Sequence, residues 1–362
     1  MDGTLFDNFI ANQTEMLTAV MQKIDNNGNG LIFIVNEREE LCGVVSDGDI
    51  RRWILKGGSI ETQVKTFMNT TPVYVMSHDS TRAGYYMDKE KIRVVPVLDE
   101  KKHIVDIIMA DRSKYLEKAK KMFISGVNVV IMAGGKGTRL YPYTKILPKP
   151  LIPIGEIPIV ERVINAFAEY GISNFLMTVN YKKNMIKSYF SEIEKNYTIE
   201  YVEEEKPLGT AGSIKLIDKP MREPLFVANC DSLVRTDYIK LYQYHTDMRN
   251  AITIVTALKN DTIPYGVVYS KADGILERMD EKPLRSYFIN TGMYVINPQM
   301  IDLIPEDSLF HMTQLVEKAV ECGHRVGVYP VSEDSFLDMG EFAEMRRMEE
   351  KLNIHMESRE QQ

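Results

Sequence analysis

The strand-like run Val127-Asn128-Val129-Val130-Ile131-Met132 passes without a break into Ala133-Gly134-Gly135-Lys136-Gly137-Thr138-Arg139-Leu140. An apolar run with so little polar alternation has to be covered on both faces, which a parallel sheet between two layers of helices provides. The chain then repeats that demand: helical periodicity over 158–170, a strand over 174–179, a helix over 183–195 and a strand over 198–203. The pattern predicts an α/β, Rossmann-like, mostly parallel sheet covered by helices. In such sheets ligands sit at the carboxyl ends of the strands. The closely spaced glycines let the loop backbone approach an anion and aim several N–H groups at it. The Gly-Lys-Ser/Thr ending of a Walker A loop is absent, and Leu140 stands where the third glycine of a dinucleotide fingerprint belongs. Downstream, Pro142, Pro148, Pro150 and Pro153 stiffen the loop, and Lys149 between two prolines presents a flexible charge from it.

Composition narrows the function classes. The 362 residues, 44% hydrophobic and 26% charged, are globular in character and leave room for two or three domains. Lys and Arg number 44 against 51 Asp and Glu, a net charge of −7, the wrong sign for a general nucleic-acid binder. The 3 cysteines, Cys42, Cys230 and Cys322, lie too far apart for a disulfide framework or a zinc knuckle, which fits a reducing cytoplasm. No apolar run approaches the roughly 20 residues that span a bilayer, and no signal segment is visible, so a soluble cytoplasmic protein is expected.

Two near-matches at the start fail on chemistry. Asp2-Gly3-Thr4 resembles part of a phosphatase motif whose nucleophilic Asp would precede Met1. Asp25 to Gly30 has the spacing of a calcium loop, but Asn36 stands where a bidentate Glu should close it, so a turn before a strand is expected.

The first 120 or so residues hold one order of elements twice. A helix over 14–24 leads to strands over 31–35 and 41–45, and Ser46-Asp47-Gly48-Asp49 opens a helix; a helix over 80–89 leads to strands over 93–98 and 103–109, and Asp111 opens a charged helix. The repeat resembles an α+β tandem pair of cystathionine-β-synthase (CBS) domains, with Val44 to Asp49 close to the family signature. The resemblance implies that Ser46 and Asp49 hydrogen-bond the ribose of an adenosine-type effector. The second repeat has Met109 and Arg112 at those positions, so one site is better supported than two. CBS pairs also stack on one another, so the pair either regulates or only joins copies of the chain as a homo-oligomer. The expected organisation is a CBS pair over 1–120 (repeats about 1–60 and 61–120), a connecting helix over 114–124, a catalytic domain over 127–354 closed by a helix over 341–354 on the sheet, and a polar tail over 355–362.

From the glycine loop onward the chain resembles the sugar-1-phosphate nucleotidyltransferases, to about residue 350 and in the family's order. The motifs are Ala133 to Gly155, Pro207-Leu208-Gly209-Thr210-Ala211-Gly212, Asn229-Cys230-Asp231, Tyr265-Gly266, Glu281-Lys282-Pro283, Asn290-Thr291-Gly292 and Asp338-Met339-Gly340; Cys230 replaces the family's usual glycine. The resemblance implies nucleotide binding by Ala133, Gly134, Gly135, Gly137, Thr138, Gly209 and Thr210, and sugar binding by Asn229, Gly266, Glu281, Asn290 and a sugar-facing turn at Thr291. It implies catalytic roles for Arg139, Lys149, Asp231 and Lys282, and Mg²⁺ held by Asp231 and Asp338. Either Asp could instead cap a helix or turn. The family reaction joins a sugar-1-phosphate oxygen to the α-phosphorus of a nucleoside triphosphate. That oxygen is already ionised near neutral pH, so positioning and charge neutralisation suffice, and the absence of a His, Cys or Ser nucleophile motif is consistent.

Glu203-Glu204-Glu205 precede the base loop. Guanine offers N1–H and N2–H₂ to one carboxylate, whereas uracil and thymine flank one N–H with carbonyls that repel it, so an acid here, with Glu204 as the candidate, favours GTP. A solvated charge run is the alternative. The CBS fusion resembles the guanylyltransferases of legionaminic acid pathways, which implies glucosamine-1-phosphate as acceptor, with mannose-1-phosphate or a heptose-1-phosphate as runners-up. A non-catalytic regulatory subunit is the remaining alternative, though such subunits lose residues that are present here.

Overall fold

The computed structural model describes residues 7–90, 92–110, 126–340 and 342–352. The connecting helix expected over 114–124, Asp111, Arg112, the opening 1–6 and the 355–362 tail lie outside them. The chain divides into two compact units, one of residues 1–112 with 259–287, the other of 113–258 with 288–362.

In the first unit the duplication extends to fine detail. The strands Ile10–Asn12, Leu31–Val35 and Leu41–Ser46 form a 3-stranded sheet whose first pair is parallel and second antiparallel; Val75–Met76, Val94–Leu98 and Ile104–Met109 repeat that arrangement. Both hairpins turn on the same side-chain device. Asn36 Oδ1 accepts from the N–H groups of Arg38 and Glu40, and Asp99 Oδ1 from those of Lys101 and His103. Glu39 and Lys102 hold the matching left-handed position at φ 61° and 67°. The helix expected over 14–24 runs from Leu17 to Asn27. The calcium-like segment is the end of that helix and the turn after it, in which Asn27 Oδ1 accepts from Asn29 N–H.

The second unit is built on a 7-stranded sheet in the order Thr198–Glu203, Asn174–Val179, Asn128–Ala133, Leu225–Asn229, Leu284–Ile296, Ile252–Thr262, Val326–Val331. It is mostly parallel; Leu284–Ile296 runs antiparallel to Leu225–Asn229. The absence of alternation in Asn128–Ala133 has the expected cause. Val129, Ile131 and Ala133 join a core with Val160, Val163 and Phe167 of the helix Ile159–Glu169, while Val130 and Met132 join a second core with Met312 and Leu315 of the helix Met312–Glu321. Phe167 stacks on Tyr238 with ring centroids 4.4 Å apart. The closing helix, Phe342–Lys351, does not pack on this sheet as the sequence suggested. Its Met348 and Met345 join Leu140, Ile152, Leu233 and Leu337, beneath the loop that carries Arg139 and the small antiparallel pair Ser232–Val234 and Phe336–Asp338.

A buried polar knot ties two central strands to the helix Tyr238–Asp247. His245 Nδ1 lies 2.9 Å from Thr253 Oγ1 and Nε2 lies 3.0 Å from Asn297 Oδ1, while Asn250 Nδ2 donates to Thr253 Oγ1. Burial lowers the His245 pKa from its ordinary 6.5. The unfolded chain therefore takes up this proton at a higher pH than the folded one. The contribution is intact above pH 6.5 and is lost as pH falls below it. Thermal unfolding followed from pH 7.5 to pH 5 is expected to show this decline, with a smaller decline in His245→Gln; equal slopes in the two proteins would refute it.

Candidate active site

At the carboxyl ends of the central strands a cleft of about 320 Å³ is lined by Arg139, Thr210, Asn229, Asp231, Asn290, Thr291 and Asp338, among others. All seven are sequence-predicted site residues, drawn from positions 139 to 338. The sheet brings them together because Asn128–Ala133 and Leu225–Asn229 are parallel neighbours, so the glycine loop and Asp231 leave the sheet at the same end.

The glycine loop is shaped by two close approaches. Gly137 has φ 65° and a β-carbon there would lie 2.8 Å from Lys149 Cβ, so only glycine passes. The turn Thr138–Leu140 follows directly, with Leu140 buried and Arg139 exposed toward solvent and the cleft. A β-carbon on Gly134 would collide with Glu204 Oε1. Of the three consecutive glutamates, this one alone is buried. Its Oε2 accepts from Leu208 N–H at 3.1 Å, its backbone N–H donates to Val179 O, and its carbonyl accepts from Asn180 Nδ2. Burial raises its pKa, opposed by the Leu208 N–H. Glu203 turns away to bind Lys183 and Lys187, which bring its pKa down to about 2, and Glu205 is exposed. The solvated-run alternative thus fits Glu203 and Glu205, and fails for Glu204.

Lys149 is not the flexible charge that its prolines suggested. It sits in the turn Lys149–Leu151, buried, with Nζ paired to Asp231 Oδ2, each side chain 11% exposed. Asp338 closes the strand Phe336–Asp338 and is registered opposite Ser232, whose hydroxyl donates to Asp338 Oδ1 at 3.0 Å. Neither aspartate caps a helix. Burial and the neighbouring Asp231 raise the Asp338 pKa, while the Ser232 hydroxyl, Lys149 and Arg139 lower it. Two carboxylates in mutual repulsion suit a hard dication that keeps most of its ligands as water and phosphate oxygen. The neighbouring Cys230 is buried, and burial pushes its thiol up, away from the thiolate that would bind a softer metal. Among the described residues there is no cage of three or more His, Cys, Asp or Glu.

Asn290, Thr291 and Gly292 lie inside the strand Leu284–Ile296, not in a turn as expected. Gly292 has φ 78° within the strand, where Asn229 packs against it. Asn290 Nδ2 donates to Tyr294 Oη at 2.6 Å and its Oδ1 accepts from Gly292 N–H. Gly266, Glu281 and Lys282 belong to the first unit, on an antiparallel ribbon of Val267–Ser270 and Leu276–Asp280. A β-carbon on Gly266 would lie 3.0 Å from Glu281 Oε2, and Lys282 holds a left-handed φ of 45°. In the same unit Ser46 caps the helix Asp47–Leu55: its hydroxyl donates to Asp49 Oδ2 at 2.6 Å, and Arg52 pairs with Asp49 Oδ1. The proposed ribose-binding atoms are thus engaged with each other.

The cleft also holds polar residues that the sequence did not flag, namely Ser232, Tyr294, His311 and Thr313. Ser232 was signalled only by its adjacency to Asp231. His311 and Thr313 carried no signal, because they start an ordinary amphipathic helix about a hundred residues beyond the base loop.

A mostly parallel sheet covered by helices, with a cleft at its carboxyl end lined by two carboxylates and by Arg139 of the glycine loop, defines an α/β fold with a polar ligand cleft. A model of the nucleotidyl transferase family matches residues 128–353, and the chain belongs to that family. A CBS domain model matches residues 7–56. The chain is similar to a mannose-1-phosphate guanyltransferase of Pichia angusta, 38% identical over 184 residues covering 48% of this chain and 50% of the relative. A protein of the same name from Saccharomyces cerevisiae is 34% identical over 48% of this chain and 51% of the relative. The chain thus spans about half the length of the curated relatives it matches. In fold it resembles a Bacillus anthracis structure named as a candidate glucose-1-phosphate thymidylyltransferase, with a TM-score of 0.51 at 20% identity, covering 64% of this chain and 96% of that one. Among the described residues no helix is long and apolar enough to cross a membrane.

Proposed function

We propose that the chain transfers a guanylyl group from GTP to a sugar-1-phosphate. An acceptor phosphate oxygen forms a bond to the α-phosphorus of the triphosphate, the bond from that phosphorus to the bridging oxygen breaks, and pyrophosphate leaves with the electron pair. The observation that carries the reading is the convergence of Arg139, Asp231 and Asp338 in one cleft, with Lys149 docked on Asp231 and Glu204 buried against the glycine loop.

In this reading the loop N–H groups and Arg139 hold the departing phosphates. Lys149 and Arg139 neutralise charge as it builds on the phosphoryl oxygens. Asp231 and Asp338 would hold Mg²⁺, which would neutralise part of the negative charge of the phosphates. Glu204 selects guanine, and Ala133, Gly135, Thr138, Gly209 and Thr210 complete the nucleotide site. Asn229, Asn290 and Thr291 face the sugar. Gly266, Glu281 and Lys282 serve the acceptor and its phosphate.

The fusion of a CBS domain with this catalytic domain favours glucosamine-1-phosphate as acceptor. The names of the relatives favour mannose-1-phosphate, although they match only half their length. A panel of four nucleoside triphosphates against hexose- and heptose-1-phosphates, with and without Mg²⁺, read by pyrophosphate release, tests the reading. Turnover is expected for GTP with one hexose-1-phosphate and only with the metal; no turnover for any pair would overturn it. The domain reading is a CBS pair over 1–120 that joins copies of the chain in the cytoplasm and holds an adenosine nucleotide through Ser46 and Asp49. Calorimetry with AMP, ADP and ATP, repeated on Asp49→Ala, decides between effector site and scaffold: no heat with the intact chain leaves the scaffold alone.

A further inference from the structure

We propose that His311 is a specificity-determining residue for the acceptor, hydrogen-bonding a hydroxyl or amino group on the ring of the sugar-1-phosphate. The proposal rests on the nucleotidyltransferase reading of the cleft. Its ground is the way that polar groups are divided there. The charged side chains lining the cleft are Arg139, Asp231 and Asp338, which suit phosphates and a cation; the same lining holds His311 and the uncharged polar groups of Asn229, Asn290 and Thr313. Such a set matches an uncharged polyhydroxylated ring better than a phosphate chain.

His311 is also placed with unusual precision for an exposed side chain. It immediately precedes the helix Met312–Glu321, which is anchored by buried Met312, Leu315 and Ala319. The segment before it is laced to the base loop. Phe310 N–H donates to Leu208 O, the N–H groups of Ala211 and Gly212 donate to Phe310 O, and Met312 N–H donates to Thr210 Oγ1, all at 2.9 Å. His311 N–H itself donates to Gln314 Oε1 at 2.8 Å. A backbone held on both sides fixes where the imidazole can reach, and a fixed donor or acceptor can discriminate between epimers. The ring lies against the base loop, since a β-carbon on Gly209 would sit 3.1 Å from Nδ1. One rigid segment thus joins the base loop to the cleft lining.

The test is steady-state kinetics of the full chain, His311→Ala and His311→Gln over a set of sugar-1-phosphates. His311→Ala is expected to raise the KM for the preferred sugar-1-phosphate about tenfold, the size of one lost hydrogen bond to a polar substrate group. The triphosphate KM should stay within about twofold, and the gap between the preferred acceptor and its epimers should narrow. His311→Gln should recover part of the loss. A rise in the triphosphate KM instead, or an equal loss for every acceptor, would overturn the proposal, and thermal unfolding of both variants identifies a folding defect. Absence of turnover by the unaltered chain would count against the nucleotidyltransferase reading and not against His311. In that case calorimetric binding of the same sugar-1-phosphates decides, and unweakened binding by His311→Ala overturns the assignment.

Discussion

Lys149→Ala is expected to lower turnover by about a thousandfold while also destabilising the domain, and the two effects can be separated. Removing an electrostatic donor from the reacting phosphates typically costs about 10² to 10³ in rate. Here the loss is compounded, because Lys149 and Asp231 form a pair that is largely withdrawn from water. Breaking a buried pair from one side costs about 3–5 kcal/mol, since the remaining charge stays buried without compensation, whereas replacing both partners is far milder. The double variant Lys149→Met with Asp231→Asn should therefore unfold at a higher temperature than Lys149→Ala yet remain as inactive. If stability and turnover recover together in the double variant, Lys149 is a structural group and its catalytic role is wrong. Arg139→Ala gives the complementary case. Arg139 is exposed, so its loss should abolish turnover with the melting temperature unchanged.

The contrast between Lys149 and Arg139 also shows what a sequence can and cannot convey. Both were found as members of a motif, because glycine and proline punctuation around a strand end is a local property. Their states were not legible. Lys149 between two prolines reads as a free charge, and only the parallel pairing of Asn128–Ala133 with Leu225–Asn229 reveals Asp231 beside it. The sheet itself was legible from unalternated strands, and the duplicated first unit from repeated element order. The closing helix was misplaced because its periodicity shows that it has an apolar face but not which surface receives it. Asn290 to Gly292 were expected as a turn from the family resemblance, and an Asn-Thr-Gly triplet has the same local preference. The long strand Leu284–Ile296 overrides that preference, with Thr291 Oγ1 donating to Val255 O. His311 could not be found at all, since its significance depends on hydrogen bonds to a loop distant in sequence.

Glu204→Gln is expected to lower kcat/KM for GTP about a hundredfold while leaving that for UTP and dTTP nearly unchanged, so that the preference for guanine shrinks by the same factor. The size follows from the penalty for leaving a polar group of the substrate without its acceptor inside a site built for it. One carboxylate oxygen is already used by Leu208 N–H and the other abuts Gly134, beside the loop proposed to hold the triphosphate. Glutamine preserves the shape and can still accept from Leu208, but its amide cannot accept from guanine N1–H and N2–H₂ together. The pH dependence carries the same signature with a definite sign. Burial lifts the pKa of Glu204, so it takes up a proton at a higher pH than an exposed glutamate does, and protonation removes the acceptor that guanine needs. The KM for GTP should accordingly rise as the pH is lowered into the acidic range in the unaltered chain, and rise less in Glu204→Gln. A purely structural Glu204, present only to satisfy the Leu208 N–H, predicts the opposite pattern: glutamine would serve equally well, the guanine preference would persist, and the two pH profiles would coincide. Because both proteins bind the same triphosphate, titration of the nucleotide phosphates cancels in the comparison, and the remaining difference belongs to the carboxylate.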